Sequence, residues 1–221
     1  MKYTRQHPFW GSLSPLGGLT GAALLVIASA RLAWAITIAG SLLWVYTLSV
    51  FTFTFLSSPV CRNFFPVGGK SLVFTCIASF YGSVYLLLIW LLCPLAAFEV
   101  FFPLMLVPLF FTGSEICQRI LSPSDNFRAD ITIYVIDAAS QAAVLSVMLV
   151  IFSIIREPFS YCSLSLPGTN RGMITFLLYK EGSFFPAGIL ASSAGALLLL
   201  GYFTGIYQYC RSIFAPGELT K

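Results

Sequence analysis

Charge is what this chain has least of. Twelve Lys or Arg and eight Asp or Glu make up 9% of its 221 residues, where a soluble domain carries roughly 25%. A water-facing globular surface is therefore excluded. The only histidine is His7, which rules out a histidine-rich metal site; in a polar tail it reads as solvated. The six cysteines, Cys61, Cys76, Cys93, Cys117, Cys162 and Cys210, form no CxxC and keep no regular spacing. Several sit in apolar runs, so they read as small hydrophobes rather than a disulfide frame or a zinc site. There is no glycine-rich nucleotide loop, no Ser-His-Asp arrangement and no HExxH helix, which argues against soluble-type hydrolytic or nucleotide chemistry. The net charge of +4 is spread over several short loops and makes no patch suited to nucleic acid.

What is there instead is apolar length. The chain is 58% hydrophobic with a mean hydropathy of +0.89. About 20 apolar residues cross roughly 30 Å of hydrocarbon as a helix, so 1–221 supplies about six spans as one membrane domain, with the lipid bilayer as its main partner. The apolar runs predict transmembrane helices over 13–30, 32–56, 71–93, 95–113, 131–155 and 185–210, an all-α polytopic fold. The stretch GMITFLLY, in the connection 158–184, is too short to span and is expected to lie in the interface or pack as a short helix. Lys and Arg counted on alternating sides place both termini in the cytoplasm. Halves 1–93 and 94–221 then run in opposite directions. Each half opens with a segment broken by Pro or Gly, residues 13–30 and 95–113, which points to two inverted three-helix repeats with discontinuous helices.

Few residues are left to carry chemistry. An aspartate inside a membrane helix costs roughly 2.5–3.5 kcal/mol, so Asp137 is expected to face protein, water or an ion rather than lipid. It reads either as a proton or sodium relay group or as a buried hydrogen-bonded aspartate. Gln141 lies one turn on, with Ser140 beside it. Glu99 precedes a proline-broken segment and reads either as facing a cavity or as a carboxylate snorkelling at the interface. Arg156 and Glu157 fall at the predicted end of the fifth span, where charge is cheap and an anchoring role is expected. Three classes of protein fit: an ion-translocating subunit, a six-helix substrate-binding or transport protein such as a vitamin-capturing component, and a structural membrane protein.

One stretch after another resembles the six-helix membrane subunits of the Rnf/Nqr family of ion-translocating electron-transport complexes. Pro108, Leu109, Phe110, Phe111, Thr112, Gly113 and Ser114 are similar to the family's P-L-I-V-T-N-C. His7-Pro8 and Leu13-Ser14-Pro15-Leu16 resemble its N-P and L-C-P-L. Asp137-Ala138 stands for L-D-G, Arg156-Glu157 for the R-E that ends the same helix, and FFPAGILASSAGALLLLG resembles the closing helix. The likeness covers roughly 7–211, and cytoplasmic termini favour the D/E-type member of the pair. It implies a subunit of a bacterial inner-membrane oxidoreductase that drives Na⁺ or H⁺ across the membrane, with Asp137, Glu99 and Gln141 as ion-path candidates. It also implies a sister six-helix subunit, and partner subunits that hold flavin and iron-sulfur. In the family the motif cysteines help to hold a 2Fe-2S cluster within the membrane. Here Ser14 and Ser114 occupy both positions, and a hydroxyl is a poor ligand beside thiolate. The expectation is a scaffold or ion-path subunit with no cofactor or metal of its own and no catalysis alone.

Overall fold

The structure, a computed structural model, describes residues 25–56, 70–94, 97–98, 100–101, 104–105, 127–168, 172–177 and 188–214. After a helical turn at 25–28 come α1 (Leu32–Ser41), a π-helical turn (Leu42–Tyr46), α2 (Thr47–Leu56), α3 (Lys70–Leu92) and α4 (Phe127–Tyr161). A two-stranded hairpin follows, β1 (Ser163–Gly168) and β2 (Gly172–Leu177), then α5 (Gly188–Ala191) and α6 (Ser193–Phe214). Three stretches are long and apolar enough to cross a bilayer, Leu32–Leu56, Leu72–Leu92 and Thr132–Tyr161. This is a membrane protein. Among the described residues α6 falls outside that group. The expected fourth span, 95–113, lies largely outside the described residues.

In lipid each backbone polar group must find its partner inside the protein, which makes helices of these runs. Several hydroxyls within them turn back on their own helix. Thr37 donates to the carbonyls of Ala33 and Trp34, Ser41 to Ile38, and Thr54 to Val50 and Phe51, so none of them asks lipid for a partner.

α1 and α2 run antiparallel to α4. Leu32 bonds to Glu157 at one level, and further along Ser146 Oγ donates to the carbonyl of Ala39 at 3.2 Å. Ile38, Leu42, Val45, Tyr46 and Val50 are fully buried, as are Ala138, Leu145 and Leu149 of α4, and they share one core. α3 lies outside them, with Leu72, Phe80, Leu87 and Leu91 largely exposed. It is held by Tyr85, whose hydroxyl donates to the carbonyl of Thr37 at 2.9 Å, by a Tyr81–Thr52 hydroxyl pair at 2.7 Å, and by Phe74 edge-on to Phe53. Gly40 is open to that approach: a Cβ there would lie 2.6 Å from the Tyr85 hydroxyl.

Three expectations are corrected. The fold is helical but not all-α, because GMITFL is a strand and not a short helix. It pairs antiparallel with β1, from Ser163 opposite Leu177 to Gly168 opposite Gly172. The fifth helix does not end at Arg156-Glu157 but runs on through Pro158 to Tyr161, where Cys162 takes a left-handed backbone (φ 54°) and turns the chain into β1. The run expected as the last span is not one continuous helix: it breaks at Ser192, between α5 and α6.

That break depends on Gly195. A Cβ at this position would collide with the backbone of Ile189 and Leu190, and backbone has nowhere to yield. Gly195→Ala is expected to cost about 2–3 kcal/mol, the scale of overpacking a closed site, seen as a lower thermal midpoint in detergent. Gly201→Ala, where no atom lies within 4 Å of the added methyl, is the matched control and should leave the midpoint unchanged or raised. Equal midpoints for the two variants would show that the turn at Ser192 has room.

Candidate functional site

α4 is 35 residues long, about 52 Å of helix against roughly 30 Å of hydrocarbon. Near its C-terminal end two adjacent residues of opposite charge are almost wholly inside the protein. Arg156 is 3% exposed and Glu157 1%, a costly arrangement unless every polar atom is matched.

Arg156 has five N–H donors, and the structure shows five bonds to them. Nε donates to the carbonyl of Leu190 at 2.9 Å. Nη1 donates to the carbonyl of Val26 at 2.8 Å and to Ser29 Oγ at 3.2 Å. Nη2 donates to the carbonyls of Ala191 at 3.2 Å and Ser192 at 3.3 Å. The carbonyls of Val26 and of Leu190 and Ala191 belong to two helix ends, that of the turn at 25–28 and that of α5, while Ser192 opens α6, its carbonyl also accepting the N–H of Ala196. The last carbonyls of a helix lack intrahelical donors and carry partial negative charge. One guanidinium therefore answers both breaks.

Glu157 does the converse. α1 starts at Leu32 after Arg31, whose side chain makes no capping bond. The cap comes instead from 125 residues away: Glu157 Oε2 accepts the N–H of Leu32 at 2.7 Å, and Ser165 Oγ of β1 accepts that of Ala33 at 3.3 Å. A carboxylate at a helix N-terminus meets the positive end of its dipole. The break at 29–31 thus has cation on one side and anion on the other, both from consecutive positions of α4. At the second break Ser192 caps α6 itself, its Oγ accepting the N–H of Gly195.

With its five N–H groups committed, Arg156 has no donor left for a ligand, and the pair works as an electrostatic clamp on the turn before α1 and the break between α5 and α6. Proton or group transfer is not what this geometry offers.

Asp137 is elsewhere. It lies 19 residues before Arg156 on the same helix, about 28 Å along the axis, toward the opposite end of the span. Its side chain is 9% exposed and that of Gln141 7%, so the two buried polar residues stand one turn apart, as expected from sequence. Ser140 does not serve the carboxylate; its hydroxyl donates to the backbone carbonyl of Asp137 at 2.8 Å. Glu99, Ser14, Ser114 and His7 lie outside the described residues. Among the described residues no three His, Cys, Asp or Glu come together as a metal would require.

Sequence reasoning missed the acceptors, Val26, Ser29 and Leu190–Ser192, and the second cap, Ser165. The available signal was ASSAG at 191–195, two hydroxyls and a glycine interrupting an apolar run. No protein-family model matches this sequence, and comparison with curated proteins gives no match.

Proposed function

We propose that the chain is a scaffold subunit of an Rnf/Nqr-type, ion-translocating electron-transport complex in a bacterial inner membrane. In this reading it has six spans in two inverted halves and both termini in the cytoplasm. The observation that carries the proposal is the clamp. The residues that resemble the family's R-E motif are the two that hold the turn before α1 against the broken helix α5–α6, and discontinuous helices are a mark of ion-translocating membrane folds. Asp137 with Gln141, and Glu99, are the ion-path candidates. Ser14 and Ser114 replace thiolate ligands, so electrons pass through flavin and iron-sulfur groups of partner subunits, a sister six-helix subunit among them.

Two experiments test this. Purification in mild detergent through a tag on this chain should bring down flavoprotein and iron-sulfur partners. A lone protein, or one bound to an ATPase module, would move the assignment to a vitamin-capturing or other transport component. Cluster iron and acid-labile sulfide beyond what the partners ligate would overturn the loss of the cluster site. In sealed vesicles of the complex, Asp137→Asn is expected to lower donor-driven ion uptake at least about tenfold, roughly 1.4 kcal/mol of barrier, while leaving the folded fraction intact. Uptake at the parent rate would remove Asp137 from the path.

A further inference from the structure

The first strand of the hairpin is built with its polar side toward the protein. Successive residues of a strand point to opposite faces, and directly opposed pairs share a face. Ser163 and Ser165, opposite Leu177 and Thr175, therefore form one side; Leu164 and Leu166, opposite Phe176 and Ile174, form the other. Ser165 is fully buried and bonds to the first turn of α1, which turns this side of β1 toward the helices, while on β2 the same side stays exposed at Thr175 and Leu177. The leucine, isoleucine and phenylalanine side is left facing outward. Leu166 is 37% exposed, and Ile174 and Phe176 are each 52% exposed. In water this order would be reversed, since apolar area left exposed forgoes about 25 cal/mol per Å² of burial.

We infer that this outer face docks into lipid, at the headgroup–acyl boundary of the leaflet that receives the C-terminal end of α4. Continuity with the membrane surface is the first reason. Only Cys162 separates β1 from α4, and the exposed Phe159 and Tyr161 lead directly up to the hairpin. At the same level Arg31 lies 5.8 Å from the ring of Trp34 and 5.6 Å from that of Tyr161, the aromatic and basic chemistry of a membrane interface. The end of α3 is tied to the same place, Cys93 Sγ donating to the carbonyl of Gly168 at 3.1 Å.

Backbone chemistry then sets the depth. Among the described residues β2 pairs only with β1, which gives its outer edge no strand partner there. An open edge is not tolerated in hydrocarbon, which keeps the strands at the level of water and headgroups. Only the side chains reach into the acyl region, to the roughly 5–10 Å of an interfacial element. The face offers no charge or polar group with which to select a protein partner. Such an anchor holds β1, and with it the Ser165 cap of α1, at a fixed height beside the clamp.

The test uses the full-length chain in vesicles of phosphatidylcholine and phosphatidylglycerol that contain a phosphatidylcholine with a diazirine near the acyl carbonyl. After photolysis, mass spectrometry should find label on Leu166, Ile174 and Phe176 and none on Ser165. A diazirine at the chain terminus should leave the hairpin unlabelled, and hydroxyl-radical oxidation of Phe176 should be lost relative to the denatured chain. Oxidation of Phe176 without lipid label would place the face in water. Protection from both reagents would mean that a protein or a second copy covers it. Equal labelling by the two diazirines would put the hairpin inside the hydrocarbon. Each of these three results overturns the inference.

Discussion

Arg156→Met is expected to unfold the membrane core or lower its thermal midpoint in detergent by about 10 °C or more, at 2–4 °C per kcal/mol for a chain of this size. Methionine fills much of the same space without a donor. Five bonds are lost together, the carbonyls at two helix ends lose their cation, and Glu157 stays behind as an unbalanced buried charge. Breaking a buried ionic arrangement from one side costs about 3–5 kcal/mol, a large fraction of a total stability of about 5–15 kcal/mol. Arg156→Lys sharpens the test. Lysine keeps the charge but has three donors on one nitrogen, so it cannot reach Val26 on one side and Leu190–Ser192 on the other. At least two of the five bonds go, and about 2–3 kcal/mol with them. The expected order of midpoints, read by size-exclusion chromatography after heating, is parent, then lysine, then methionine. Lysine equal to parent would mean that charge alone suffices and that the guanidinium fork is incidental.

How much of this was legible in the sequence follows from what holds each element. Spans made by uninterrupted apolar runs were read closely: 32–56 is α1 through α2, 71–93 matches Lys70–Leu92, and 131–155 falls within Phe127–Tyr161. The break just before Leu32 was also legible, because Arg31 splits two apolar runs. The pairing of Asp137 with Gln141 needed only helical spacing. Arg156-Glu157 was misplaced to a helix end because the charged pair closes the apolar run, where charge is cheap at a span's end. Here the helix carries on for a further turn; the hydroxyl of Ser160 donates to the carbonyls of Arg156 and Glu157. The acceptors of Arg156 lie 34–36 residues ahead and 127–130 behind, and no local pattern encodes such distances. GMITFL was ambiguous for a different reason: a six-residue apolar run fits helix and strand alike. Its Ile174, Thr175 and Phe176 between Gly172 and the facing Gly168 were strand signals that deserved more weight.

Glu157 should behave asymmetrically. Glu157→Gln keeps an oxygen able to accept the N–H of Leu32 but, like Glu157→Leu, leaves Arg156 without its counter-charge, so it should cost less than Glu157→Leu by about the 1–3 kcal/mol of the lost cap. Glu157→Leu removes the acceptor as well. The N–H of Leu32 is then left without its cap, at about 1–3 kcal/mol, and Arg156 becomes the unbalanced charge. The decisive variant is Arg156→Met with Glu157→Leu. If the two charges act as one clamp, each single change leaves an uncompensated ion buried while the double change leaves none. The double variant should then be no less stable than Arg156→Met alone, and well short of the sum of the two losses. Additive losses would mean that each charge caps its own helix without regard to the other. The neutral pair would then be a coincidence of neighbouring caps, and the link between the break at 29–31 and the break at Ser192 would rest on the arginine alone.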